Sequence, residues 1–439
     1  MFDIVIADGI IISGHNRYRP CVGTIGIRDG KIVYVGEKSY SKADCHSYIS
    51  AAGKIVMPGL VNGHCHGEMS FAKGLGGNAT LWEQMQTFAE NNWFYEALSE
   101  EDRFYARQFT YAEAVLSGTT TLLENMYWSL SGELSQRAFA ETGLRGALAE
   151  DVRYDFYQSD RFLTDEMLED FTDACGKYDL IPLFGTLPEE EFTEKRLREV
   201  KRLTEKGKIF FSSHLAETTW RHRSAVEKMG DSPVKVLNRF GLLSEKYIGS
   251  HAVYLDEEDI AIYAESGAKI VSTPICELKI ADGLAPIPQF VKAGITIALG
   301  TDGAMWNNSN DIFREMKCMS VIHNLQSGSG AGTFAPEDIL DMATINGAKL
   351  FNMEKKLGTI EENKLADLII VDATKPHMNP LRVGERNNVS SALVYCATGA
   401  DVTDVIINGK EIVRERELLT VDIHELQEKV QKIAERVIK

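Results

Sequence analysis

Pro58-Gly59-Leu60-Val61-Asn62-Gly63-His64-Cys65-His66 opens on a Pro-Gly turn, crosses a short apolar run and ends in two histidines. An apolar run bounded by turn residues reads as a buried strand. Side chains at i and i+2 of a strand share a face, so His64 and His66 can both reach one ion. Taken alone, the pair also admits two solvent-facing histidines.

The same alternation recurs from about Leu60 to Met353. Apolar runs occur at Thr119–Leu123, Gly146–Ala149, Ile181–Gly185, Ile209–Ser213, Tyr247–Ser250, Lys269–Ser272 and Thr296–Leu299. Amphipathic helical patterns fall between them, among them Glu101–Ser117, Asp165–Lys177, Glu194–Lys206, Ser232–Phe240, Asp256–Ser266 and Asp311–Asn324. Strands alternating with helices imply βαβ units and a parallel sheet, and continuous apolar strands imply burial on both faces. About eight such units fit the length, which favours an α/β fold closed as a (β/α)8 TIM-type barrel.

Both ends of the chain are strand-rich instead. Asp3–Ala7, Ile10–Ile12, Val22–Arg28, Lys31–Gly36 and Lys54–Met57 read as strands, with Asp29-Gly30 a hairpin turn. After Met353 come Leu365–Val371, Ser391–Tyr395, Val402–Ile407 and Glu411–Arg414, with Asn408-Gly409 as a second hairpin turn. Neither piece buries enough surface alone, so the two read as halves of one small β-domain. Val421–Lys439 reads as a closing amphipathic helix.

The 439 residues carry 64 acidic and 47 basic side chains, a net charge of −17. That balance argues against a nucleic-acid or anionic-membrane surface, since both need basic patches. The seven cysteines are scattered without a C-x-x-C pair, which points to a reducing compartment. No signal peptide and no membrane-spanning run is expected, so the protein reads as cytoplasmic.

Three further positions bear on the histidine pair. His214 ends the run Ile209–Ser213, His251 ends Tyr247–Ser250, and Asp302 lies just past Thr296–Leu299. In a parallel barrel the C-terminal strand ends converge on one mouth, and unrelated core histidines would not fall repeatedly at that register. Nitrogen and oxygen ligands that leave room for water describe a catalytic metal site. His15, His46, His377 and His424 lie in turns or outer segments, and His222 and His323 on helical patterns. These six lack that placement.

His64-Cys-His66, His214-Leu-Ala-Glu217, Ser250-His251 and Leu299-Gly-Thr-Asp302-Gly303 resemble the amidohydrolase superfamily. More narrowly, the chain resembles the branch of methylthioadenosine/adenosylhomocysteine deaminases and triazine hydrolases. The likeness spans nearly the whole chain, from Met57-Pro-Gly-Leu through Leu278-Lys-Ile-Ala-Asp-Gly-Leu-Ala-Pro286 to Leu357-Gly-Thr-Ile and Ala366-Asp-Leu. It implies a metal-dependent (β/α)8 barrel over 58–356 and a composite β-sandwich from 1–57 and 357–439, the latter including the C-terminal helix. It implies His64, His66, His214 and Asp302 as metal ligands, with Glu217, His251 and Asp302 as the proton-handling residues. Binuclear relatives carry a bridging lysine or acid after the fourth strand. Here Ile181–Gly185 leads into Thr-Leu-Pro-Glu, which favours one divalent ion. Zinc suits the His₃Asp set, with Fe²⁺ and Mn²⁺ as alternatives.

The resemblance further implies hydrolytic release of ammonia from an amino-substituted N-heterocycle of purine or nucleoside, pterin or triazine type. Expulsion of chloride, an alkylamine or a ring amide is the alternative, and a non-catalytic ligand-binding barrel a distant one. Glu217 favours an amine leaving group, because chloride needs no proton. Glu96, in Trp93-Phe-Tyr-Glu96, resembles the acid that binds ribose in nucleoside-type relatives, but reads equally as a solvated helix start. Glu150 and Glu277 depart from the nucleoside pattern. Lining the pocket, they would favour a donor-rich or cationic substrate; otherwise they are salt-bridged structural acids. Trp306, just after Asp302, is the best candidate to stack on a flat ring. Relatives of this kind are often dimers or tetramers, so a homo-oligomer acting on a small heterocycle is expected.

Overall fold

The computed structural model describes residues 1–75, 77, 79–91, 97–125, 133–151, 161–185, 187–326 and 332–438. The chain divides into two compact units. One holds Met1–Asn62, Ala112–Thr121 and Asp311–Asp422; the other holds Gly63–Tyr111, Leu122–Asn310 and Ile423–Lys439.

Eight parallel strands make the expected barrel, ordered in the sheet as they are in the chain. They are Leu60–Cys65, Thr119–Asn125, Arg145–Asp151, Ile181–Gly185, Phe210–Leu215, Tyr247–His251, Lys269–Ser272 and Thr296–Leu299. Nearly every residue in them is buried, which is why they read as unbroken apolar runs. At the strand ends the ring is drawn together by the His64 carbonyl, which accepts from Thr301 N (3.1 Å) and Asp302 N (2.9 Å). Gly300 permits this approach, since a Cβ there would lie 2.8 Å from His64 N.

The terminal strands form one nine-stranded mixed sheet. Lys54–Pro58 joins the halves by pairing antiparallel with Leu368–Asp372. Ile6, Ile27 and Val56 from the first half share a core with Leu368, Ile370 and Ile406 from the second. Two local expectations fail here. The stretch read as two strands, Asp3–Ala7 and Ile10–Ile12, is the single strand Phe2–Ile11. Asp8 adopts a left-handed φ of 61° and the register shifts between Ile6 and Gly9, so Asp8-Gly9 is a bulge rather than a turn. Ser391–Tyr395, read as a strand, belongs to the helix Val389–Tyr395. A short apolar run does not separate a buried strand from a buried helix turn.

The closing helix, Ile423–Val437, packs Val430, Ile433 and Val437 into a cluster with Ile280, Met305 and Trp306 in the barrel unit. Arg436 pairs with Asp102 at 2.6 Å, and the Lys429 ammonium sits 3.6 Å from the Tyr105 ring centre. Among the described residues no helix is long and apolar enough to cross a membrane.

Candidate metal centre and active site

The C-terminal ends of the barrel strands bring His64, His66, His214, His251, Glu217 and Asp302 into one buried cluster. Two of them adopt left-handed backbone, His251 at φ 73° and Asp302 at 62°. Ala216, between His214 and Glu217, does the same at 45°. Residues held there outside glycine cluster at functional sites. The turn at Ala216 lets one short segment contribute both His214 and Glu217. Its N–H donates to Glu189, a buried carboxyl whose pKa burial raises to about 7.

His66 Nε2 lies 3.3 Å from His214 Nε2 and 3.3 Å from Asp302 Oδ1, and His64 Nε2 lies 3.6 Å from the same oxygen. Ligands bound at about 2.0–2.1 Å with tetrahedral angles stand ~3.3 Å apart, so these donors fit a shared divalent ion. Burial lowers the pKa of His64, His66 (to about 4) and His214, so the rings stay neutral and free to ligate. Burial would raise Asp302, but His64 and His66 outweigh it and hold the carboxylate ionised.

The remaining ring nitrogens are anchored. His66 Nδ1 meets the Asn125 carbonyl at 2.7 Å. His64 Nδ1 lies 2.9 Å from the Asn125 side-chain amide and 2.8 Å from Ser250 Oγ. An Nδ1–H donated to the Asn125 carbonyl by His66, or to Ser250 Oγ by His64, would leave Nε2 bare to hold a metal ion. Behind the pair, Gly67 N donates to both oxygens of Glu124 (2.9 and 2.8 Å). Glu68 Oε2 takes Arg103 at 3.0 Å and Arg107 at 3.1 Å. Glu68→Ala would leave two buried guanidinium groups short of their acid. A loss of ~3–5 kcal/mol in urea-unfolding free energy is expected, with only part of it recovered by Glu68→Gln, which restores an acceptor but not the charge. A loss under ~1 kcal/mol would show that the network does not hold this segment.

His251 stands beside His64, His66, His214 and Asp302. Its Nε2 is 3.8 Å from Glu217 Oε1, and its Nδ1 is 3.0 Å from Thr273 Oγ1 and 3.7 Å from Glu277 Oε1. Burial favours the neutral ring, yet Glu217, Glu277 and Asp302 together push its pKa up to about 9. The Arg221 guanidinium grips Glu217 Oε2 and reaches Glu190 Oε1 at 3.2 Å.

Of the other expected site residues, Glu277 and Trp306 adjoin the cluster and Glu150 does not. Glu277 caps its own helix, Pro274–Lys279, accepting from Thr273 N at 2.8 Å, and lies behind His251. Cys276, beside it, places Sγ 2.8 Å from Asp302 Oδ2. Trp306 is buried with its ring edge-on to His66, centroids 5.4 Å apart. Glu150 is not brought into the cluster. It shares a strand face with Gly146, where a Cβ would meet Phe139 and Leu180 of the outer layer, while Ala149 faces the interior. Glu96, with Trp93, lies outside the described residues. Asn125, Arg221 and Asp282 were missed. Asn125 ends the second strand and Arg221 is one helical turn beyond Glu217, both readable signals; Asp282 sits in a loop with none.

A buried His₃Asp constellation at the C-terminal mouth of a (β/α)8 barrel defines a metal-dependent hydrolase. The amidohydrolase family profile matches residues 55–412, and the chain belongs to that family. It is a hydrolase acting on carbon–nitrogen bonds. The chain is 31% identical to the 5'-deoxyadenosine deaminase of Methanopyrus kandleri, over 99% of each chain. It is 32% identical to the 5-methylthioadenosine/S-adenosylhomocysteine deaminase of Caldanaerobacter subterraneus, covering 89% of this chain and 88% of that one. The crystal structure of an adenosine deaminase from Xanthomonas campestris with bound zinc superposes with a TM-score of 0.89 at 25% identity, over 99% of this chain and 98% of that one.

Proposed function

We propose that this protein is a metal-dependent hydrolytic deaminase that releases ammonia from an amino-substituted N-heterocycle. The observation that carries the reading is Glu217, a buried carboxyl three residues past His214 and 3.8 Å from His251, where it can exchange a proton with a substrate ring. The names and coverage of the relatives support the same reading.

In this proposal His64, His66, His214 and Asp302 hold one divalent ion, zinc by analogy with the zinc-bound relative. Bound there, it supplies the Lewis acidity that lowers the pKa of a water from about 15.7 to about 7. Asp302, held ionised, accepts the proton that the attacking water gives up. Glu217 delivers a proton to the ring nitrogen next to the amino-bearing carbon, which makes that carbon electrophilic. His251 donates from Nε2 to the developing oxyanion. The new C–O bond forms, the amino group takes the proton held by Asp302, the C–N bond breaks as the new hydroxyl returns its proton to Glu217, and ammonia leaves.

The same proposal takes 58–356 as the catalytic barrel, with a homo-oligomeric, cytoplasmic protein around it. Seven free cysteines are compatible with a reducing compartment. The test is ammonia release by zinc-loaded protein from a panel of purine nucleosides, free purines, pterins, pyrimidines and triazines. Turnover of at least one aminated ring is expected. Chloride or a ring-opened acid as the product, with no ammonia from any ring, would replace this reading with its alternative.

A further inference from the structure

We propose that Asp282 is a substrate-recognising carboxyl which, side by side with Glu217, selects heterocycles carrying a guanidine-type edge, an N–C(NH₂)–N arrangement. The proposal rests on the deaminase reading and names its substrate class.

Asp282 is rigidly presented. Its N–H donates to the Glu277 carbonyl at 2.9 Å, and its own carbonyl accepts from Tyr254 Oη at 2.6 Å. Gly283 follows at φ 138°, where a Cβ would meet Val253 Cγ1 at 2.7 Å. Neither the sixth-strand loop nor the helix Pro274–Lys279 therefore lets the segment slide. The side chain so fixed is buried, at 4% exposure, and hydrogen-bonds Glu217. Its second oxygen, Oδ2, has no hydrogen-bond partner among the described residues.

Two carboxyls in hydrogen-bond contact share a proton, because like charges that close do not both ionise freely. Burial, then Glu217, accordingly raises the Asp282 pKa. The cation nearest the pair, Arg221, is engaged with Glu217 and Glu190. A buried acceptor left without a donor is costly unless a ligand supplies one. A neutral adenine-type edge gives Glu217 the ring nitrogen it needs and offers Asp282 nothing further. A ring with a second amino group next to that nitrogen, or one protonated near neutral pH, sets an extra N–H against Oδ2. Charge-assisted hydrogen bonds of this kind are the strong ones.

The experiment is calorimetric titration of zinc-loaded protein with 2-aminobenzimidazole, a cyclic guanidine, and with 2-methylbenzimidazole, which keeps the shape without the amino group. Wild type is expected to prefer the first by about tenfold or more, the span of one charge-assisted hydrogen bond. Asp282→Asn and the smaller Asp282→Ser should both shrink that preference to about threefold or less; two variants guard against one failing to fold. Equal binding of the two probes by wild type, or an undiminished preference in a folded variant, overturns the assignment. Ammonia release separates the layers. A protein that deaminates rings yet binds both probes equally refutes Asp282 and spares the deaminase reading. One that shows the Asp282-dependent preference but deaminates nothing upholds Asp282 and sinks the deaminase reading.

Discussion

Glu217→Gln is expected to fold, to hold its full complement of metal, and to release ammonia about 10²–10⁴-fold more slowly than wild type, the range that a positioned general acid–base contributes. The substitution keeps the shape of a side chain that is packed tightly. The Arg221 guanidinium closes on Oε2, His251 Nε2 faces Oε1 at 3.8 Å, and Asp282 hydrogen-bonds the same group. Glutamine can occupy that space and still accept from Arg221, but it cannot take a proton at one moment and give it back at the next. Since Glu217 lies outside the proposed ligand set of His64, His66, His214 and Asp302, metal content by elemental analysis should not change. Single-turnover measurement of ammonia would locate the loss in the chemical step. Undiminished turnover in a folded, metal-loaded variant would remove Glu217 from the mechanism. It would then favour a leaving group that departs without a proton, as chloride does.

The residues behind that expectation were legible to different degrees, for physical reasons. A βαβ repeat imposes one rule on every strand, so His64, His214, His251 and Asp302 could be placed at a common mouth by register alone. Tyr247–His251 is buried throughout and Ile181–Gly185 over its last three residues, and burial on both faces is what makes a strand visible as an apolar run. Glu150 shows where that rule stops. Side-chain direction alternates along Arg145–Asp151, and the apolar character of both faces hides which is inward. Glu277 was open between a pocket acid and a structural one for another reason: its carboxylate accepts from the Thr273 N–H just ahead of its own helix, a local role that looks the same in sequence as a pocket acid. Asp282 matters through what it touches across a loop, and such a contact carries no periodicity to read, whereas Arg221 lies at i+4 from Glu217 and could have been read.

Removing the ion should have the second large effect, and it separates the metal from the proton machinery. Dialysis against a chelator is expected to abolish ammonia release and lower the melting temperature, and added zinc should restore both. An ion present at a thousandfold over its Kd stabilises the folded chain by about 4 kcal/mol, which fixes the scale of the thermal shift. His214→Ala should reproduce the apo behaviour without chelator. It removes the nitrogen 3.3 Å from His66 Nε2 and leaves a gap between rings that otherwise stack at 5.3 Å, so zinc should no longer rescue. The two variants then behave oppositely. Glu217→Gln keeps zinc and the zinc-dependent melting temperature while losing turnover; His214→Ala loses all three. If His214→Ala instead bound zinc stoichiometrically and kept the thermal shift, the ion would have to sit elsewhere in the cluster. His64, His251 and Asp302, whose donor atoms also lie within 4.8 Å of one another, would be the set to test next. In that case His251 could not serve as a proton donor, because a ring nitrogen bound to a metal has no proton to give.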